Sequence, residues 1–204
     1  MTKGELAREN TGAGDISRAK AYALLIEYTA NQSLIKHALA VEAAMRAYAL
    51  RFGEDEERWG VTGLLHDFDY ERWPDIPDHG TRGAEILAAK GYPGDVIRAI
   101  QGHATYLGVP RETLMAKTLY AVDELTGFVT AVTLVRPNKD VRDVTVSSVK
   151  KKFKDKAFAR GVNREDIFKG AEELAVDLDA HIANVIKAMA AIAPELGLAG
   201  QGQG

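Results

Sequence analysis

Apolar residues recur at three- and four-residue intervals along most of the chain, which is the helical period. In "ISRAKAYALLIEYTA", Tyr22, Leu25 and Ile26 share one face, and Asp15 stands where a helix cap belongs. Asn31 is placed to cap a longer helix over residues 32–52, which Gly53 stops. "DEERWGVTGLLHDF" reads as a third helix, and "RWPDIPDHG", with two prolines, as a loop. A fourth helix is predicted from about Asp78 to Lys90, and a fifth from Pro93 to about Thr105, followed by the loop "YLGVPRE". The long apolar stretch "ETLMAKTLYAVDELTGFVTAVTLV" is a sixth helix, broken by "RPNKD". Shorter helices follow over "SSVKKKFKDKAF", "NREDIFKGAEEL" and "LDAHIANVIKAMAAIAPEL". The tail "GLAGQGQG" is expected to be disordered. No stretch alternates as a strand should; "VRDVTVSSV" comes nearest and is short.

This pattern predicts an all-α fold, a helical bundle with additional C-terminal helices. Residues 1–16 are expected to form a flexible N-terminus and 17–136 the core. Residues 137–196 read as a helical extension of the same domain, and 197–204 as the tail. A length of 204 residues suits one domain. At 46% hydrophobic and 27% charged, the composition is that of a soluble globular protein. The net charge of −3 supplies no basic field, so no nucleic-acid partner is expected. Neither an apolar leader nor a run of about 18 apolar residues is visible, so no membrane association is expected and the cytoplasm is the expected location. From Arg136 to Arg160 nine lysines and arginines face three aspartates, with little aromatic interleaving; this reads as a solvated helix face. The chain has no cysteine, which excludes disulfides, thiolate catalysis and cysteine-ligated zinc. Any metal has to be held by imidazole and carboxylate.

Five histidines are present: His37, His66, His79, His103 and His181. His37 shares a helix face with Val41, Ala44 and Tyr48, so it should point inward. His66 and Asp67 are adjacent, about 100° apart on an ideal helix, so both approach one point only where a helix ends. His79 opens the fourth helix and His103 closes the fifth. Asp123 lies in the apolar "LYAVDELTGF", where an unpaired carboxylate would be costly. Each has a bland explanation alone: a hydrogen-bonded core histidine, a helix cap, an aspartate paired with arginine. One metal site explains them jointly.

The ordered set His37, His66-Asp67, His79, His103, Asp123 resembles the HD superfamily of metal-dependent phosphohydrolases. "SLIKHALAVEAAMRAYA" is similar to the family's first histidine helix and "VTGLLHDFDY" to its namesake motif. "DHGTRGAEIL" and "AIQGHAT" resemble its next two histidine segments, and "LYAVDELTGF" its last aspartate. The likeness runs from about Ser17 to Val135.

The resemblance implies that His37, His66, Asp67 and Asp123 hold a core metal. His79 and His103 would add a second, with Asp67 bridging. It also implies a metal-activated water as the nucleophile. The donor set suits iron or manganese best, with zinc, cobalt, nickel or magnesium as further options. The expected partner is a small phosphorylated molecule, either a phosphate ester or nucleotide-like; the oligomeric state stays open. Besides Asp67, Asp69 and Glu71 are candidate catalytic proton carriers. Lys36, Arg72 and Arg82 are candidate phosphate-binding cations. Tyr70 stands where the family often has a lysine. Glu124 is expected to support Asp123, and His181 to be structural. Two other functions share the same ligands: an HD-type di-iron oxygenase, and a regulatory module that binds without turnover. Gly91-Tyr92-Pro93 precedes His103 and reads as a helix stop and start rather than as an HD-GYP signature.

Overall fold

Helix boundaries follow from local capping chemistry. In the computed structural model, which describes residues 16–200, Ser17 accepts the Lys20 N–H and opens α1 (Arg18–Tyr28). Asn31 accepts the Ser33 N–H and opens α2 (Gln32–Phe52), which Gly53 ends in the left-handed conformation. Asp55 caps α3 (Glu56–Leu64). Then come α4 (Asp78–Ala89), α5 (Gly94–His103) with a 3₁₀ turn at Thr105–Leu107, and α6 (Leu114–Leu134). A second 3₁₀ turn at Val141–Asp143 precedes α7 (Val146–Phe153), α8 (Arg164–Glu173), α9 (Leu178–Ala191) and α10 (Ala193–Leu196). The described residues form no strand, only an isolated bridge between Asp140 and Ala199, so the fold is all-α. No helix among them is long and apolar enough to cross a membrane.

The two longest helices, α2 and α6, carry the core. α2 packs on α3, α6 and α9, and α6 on α5 and α8. Tyr48, Phe68 and Phe128 are fully buried; each such side chain contributes about 1.5–3 kcal/mol relative to exposure. Phe128 on α6 also stacks on Phe153 and meets Phe158 edge-on, with ring centroids 4.7 and 5.5 Å away. Ile167, Ile182, Val185 and Met189 enter the same core, so the C-terminal helices are continuous with it.

Four expectations need correction. The first helix is capped by Ser17, while Asp15 lies outside the described residues; Ile26 is half exposed, and Ala21, Leu24 and Leu25 bury the helix instead. The third helix stops at Leu64, and residues 65–72 continue as successive tight turns, such as Tyr70 N–H to Asp67 O and Trp73 N–H to Asp69 O. The last helix is split at Ile192, because Pro194 has no N–H to continue the ladder. The glycine-rich end is packed as far as it is described. Leu198 is buried, and its carbonyl accepts the Val141 N–H at 2.9 Å. This apolar anchor and the backbone bonds of Leu198 and Ala199 outweigh the composition that suggested disorder. The expected flexible start lies outside the described residues up to 15, and so do residues 201–204 of the tail.

Candidate metal centre

Four helices and one turn bring six side chains together. Gly63 on α3 is what allows the approach: a Cβ there would sit 2.9 Å from Met45 Cγ and 3.0 Å from the Val41 carbonyl oxygen. Without a side chain, α3 lies directly on α2, and the turn after Leu64 swings the His66 ring to 5.1 Å from that of His37. His103, the last residue of α5, places its ring 5.2 Å from His66, and the His79 ring is 5.6 Å from His103. Asp123, two turns into α6, faces the same space.

The donors sort into two groups, His37, His66 and Asp123 in one and Asp67, His79 and His103 in the other. Within each group the ligand atoms lie within 4.8 Å of one another. Asp123 Oδ1 is 3.0 Å from His37 Nε2 and 3.4 Å from His66 Nε2. Asp67 spans both groups. Its Oδ2 is 3.4 Å from His66 Nε2, while its Oδ1 is 3.2 Å from His79 Nε2 and 3.1 Å from His103 Nε2.

Backbone carbonyls and one carboxylate fix the histidine tautomers. His66 Nδ1–H donates to the Gly63 carbonyl at 2.8 Å, His103 Nδ1–H to the Ile100 carbonyl, and His79 Nδ1–H to Asp69 Oδ1 at 2.9 Å. With Nδ1 protonated, each Nε2 turns a lone pair toward the centre, the arrangement a metal needs. His66 Nε2 and Asp67 Oδ1 are buried without any bond of hydrogen-bonding geometry. Such atoms are costly unless a cation compensates them. The residues present therefore fit a divalent metal.

The electrostatics agree. Burial works against a charged His66, but Asp67 and Asp123 outweigh it and hold its pKa well above the usual imidazole value. His79 behaves alike: burial opposes its charge, and Asp67 and Asp69 lift it to about 9. Burial pushes the Asp67 carboxyl up, yet the three surrounding imidazoles hold it well below the carboxylate range. The cavity thus favours positive charge between its carboxylates.

The remaining candidates are placed differently. Asp69 is buried, with three bonds: His79 Nδ1–H, and the Gly80 and Gly83 N–H groups at 2.8 and 2.9 Å. A Cβ at Gly83 would lie 2.7 Å from Asp69 Oδ2, so only glycine leaves room for this grip. Asp69 is thus a positioning residue for His79 rather than a free proton carrier. Glu71 Oε2 accepts the Ala30 and Asn31 N–H groups at 2.8 and 2.9 Å; it stitches the entry of α2 and joins neither donor group. Arg72 donates to the Glu27 carbonyl and lies 4.0 Å over the Tyr28 ring. Arg82 pairs with Asp78 and Glu85 on the surface. The phosphate-binding expectation for these two arginines is therefore not supported by their partners. Lys36 does line a cavity shared with His37. Tyr70 packs edge-on against His79 at 5.2 Å, and the Tyr106 hydroxyl donates to the His79 carbonyl at 3.2 Å. Burial, and then Asp123, pushes Glu124 up to about 7; it accepts the Asn163 N–H. His181 is buried between the Tyr48 hydroxyl and the Ala121 carbonyl, a structural pairing. The carbonyls of Gly63 and Ile100 escape sequence reasoning, because any residue supplies one.

The fold and the clustered side chains define an all-α protein with a histidine–aspartate cluster that can hold metal. Residues 34–127, somewhat under half of the chain, match the HD domain family, whose superfamily is built largely of metal-dependent hydrolases. Over 98 residues it is 31% identical to ribonuclease Y of Oleidesulfovibrio alaskensis; that stretch is 48% of this chain and 18% of that protein. No solved structure matches it.

Proposed function

We propose that the protein is a metal-dependent phosphohydrolase of small phosphate esters or nucleotides, working with two divalent cations, iron or manganese in preference to the others. The carrying observation is the Asp67 carboxylate, which presents Oδ2 to the His66 side and Oδ1 to the His79 and His103 side. His37, His66 and Asp123 would complete one coordination shell, and His79 and His103 the other. Asp69 and the Gly63 and Ile100 carbonyls keep the Nε2 lone pairs aimed inward. A cation pair, when bound, polarises a phosphate and lowers the pKa of a coordinated water. The open side of the centre, where His37, Asp67 and Asp123 keep about a fifth of their side-chain surface accessible, is where a substrate phosphate enters.

The test is elemental analysis of the purified protein, coupled to a screen of phosphate esters and nucleotides with manganese and iron. Turnover with bound metal, both lost in Asp67→Ala, is the expected result. Full metal content and full turnover in Asp67→Ala would remove the site assignment.

A further inference from the structure

The metal donors sit at one end of a longer groove. Asp123, Gly127, Thr130 and Leu134 follow one another at four-, three- and four-residue steps along α6, so they form one stripe leading away from the centre. On α2, Ser33 lies one turn before His37 and belongs to the same side. Between these stripes lies a cavity of about 280 Å³ that reaches His37, at the small end of the range for ligand pockets. Gly127 belongs to its wall and leaves room for a side chain, since a Cβ there would make only an ordinary contact, with Val162 at 3.8 Å.

The far wall is the C-terminal segment Leu196–Leu198. It is latched in place, since Leu198 O accepts the Val141 N–H and Ala199 O accepts the Arg142 guanidinium at 2.7 Å. Leu134, Leu196 and Leu198 make this end aliphatic. Among the described residues no phenyl, phenol or indole ring lines the cavity, so they offer no platform for stacking a base.

Lys36 is the cation of this cavity. Among the described residues it has no ion-pair partner, as is true of several other lysines, but it is the lysine that borders this cavity. Its ammonium reaches the closing segment: a Cβ at Gly197 would lie 2.8 Å from Lys36 Nζ. Being one residue from His37, it leaves α2 about 100° away from that ligand, so it meets a ligand at the end remote from the metal donors.

We propose that this cavity holds the organic part of the substrate, and that it takes a compact, non-aromatic phosphate ester with a second anionic group, which Lys36 pairs. This rests on the phosphohydrolase reading of the metal centre and narrows it, placing nucleotides outside the preferred class.

The test is calorimetric binding to the manganese-loaded full chain, with three probes: phosphoglycolate, methyl phosphate and adenosine monophosphate. Phosphoglycolate should bind at least ~10-fold more tightly than either of the others. Lys36→Gln should erase that advantage while keeping the metal content. Gly127→Leu, which fills the cavity, should weaken phosphoglycolate about 10-fold relative to inorganic phosphate. Equal or tighter binding of adenosine monophosphate, or an unchanged preference in Lys36→Gln, overturns the inference and leaves the phosphohydrolase reading standing. If none of the phosphates binds to the metal-loaded protein, the phosphohydrolase reading itself falls, and this inference with it.

Discussion

Asp69 holds His79 by the back of its ring: Nδ1–H donates to Asp69 Oδ1 at 2.9 Å while Nε2 faces Asp67 Oδ1 at 3.2 Å. The same carboxylate accepts the Gly80 and Gly83 N–H groups, so it also shapes the kinked start of α4. Asp69→Ala should therefore weaken metal binding at the His79 side 10- to 100-fold, as outer-shell changes do. It should also lower stability by about 1–3 kcal/mol for each buried donor left unpaired. Metal titration followed by thermal melts measures both. Asp69→Ala with unchanged affinity would mean that His79 needs no support.

His79→Ala should lower the metal content from about two ions per chain towards one, as a two-ion centre requires. His37→Ala should do the same from the other side, since each belongs to a different donor group. Elemental analysis decides it. Equal content in wild type and His79→Ala would indicate a single-ion site.

Glu71 separates a structural acid from a catalytic one. Its bonds to the Ala30 and Asn31 N–H groups resemble a helix cap, so Glu71→Ala should cost about 0.5–2 kcal/mol of stability. Metal content and turnover per folded molecule should stay at the wild-type level. A large loss of turnover with an unchanged melting temperature would restore the proton-carrier role.

His181 gives the protein an acid sensitivity independent of the metal centre. Burial first, and Arg51 second, pull its pKa below the usual imidazole value, although the Ala121 carbonyl favours the charged form. The unfolded chain takes a proton near pH 6.5 that the folded chain refuses. The neutral-ring pairing thus contributes fully above that pH, and the contribution is lost as pH falls through it. Melts of wild type and His181→Gln at pH 7.5 and 5.5 should show the gap between them narrowing at the lower pH. A gap that stays constant would show that His181 does not titrate on unfolding.

Much of the fold was legible because caps and stops are local. Asn31, Gly53 and the long apolar run of α6 act through neighbours within a few residues, so their helices fall where the pattern places them. That these six side chains come together was anticipated for another reason: histidines and aspartates in an apolar pattern demand a partner, and their order resembles a known family. Roles beyond the donors depended on which backbone groups came near. Asp69 and Glu71 look alike in "DFDYER", two residues apart on one turn; one meets His79 and the other the start of α2. Arg72 and Lys36 look equally suited to phosphate, yet Arg72 is held by Glu27 and Tyr28 while Lys36 borders an open cavity. The tail shows the limit most clearly. Its glycines suggested disorder, but Leu198 is buried and its carbonyl accepts the N–H of Val141, far back in the chain. Sequence alone determined which stretches are helical and which histidines and aspartates to bring together, because both rest on local periodicity and residue chemistry. Only the tertiary structure decided which charges are free, which are spent on the backbone, and what closes the pocket. Those outcomes arise from contacts between distant segments, which no local pattern encodes.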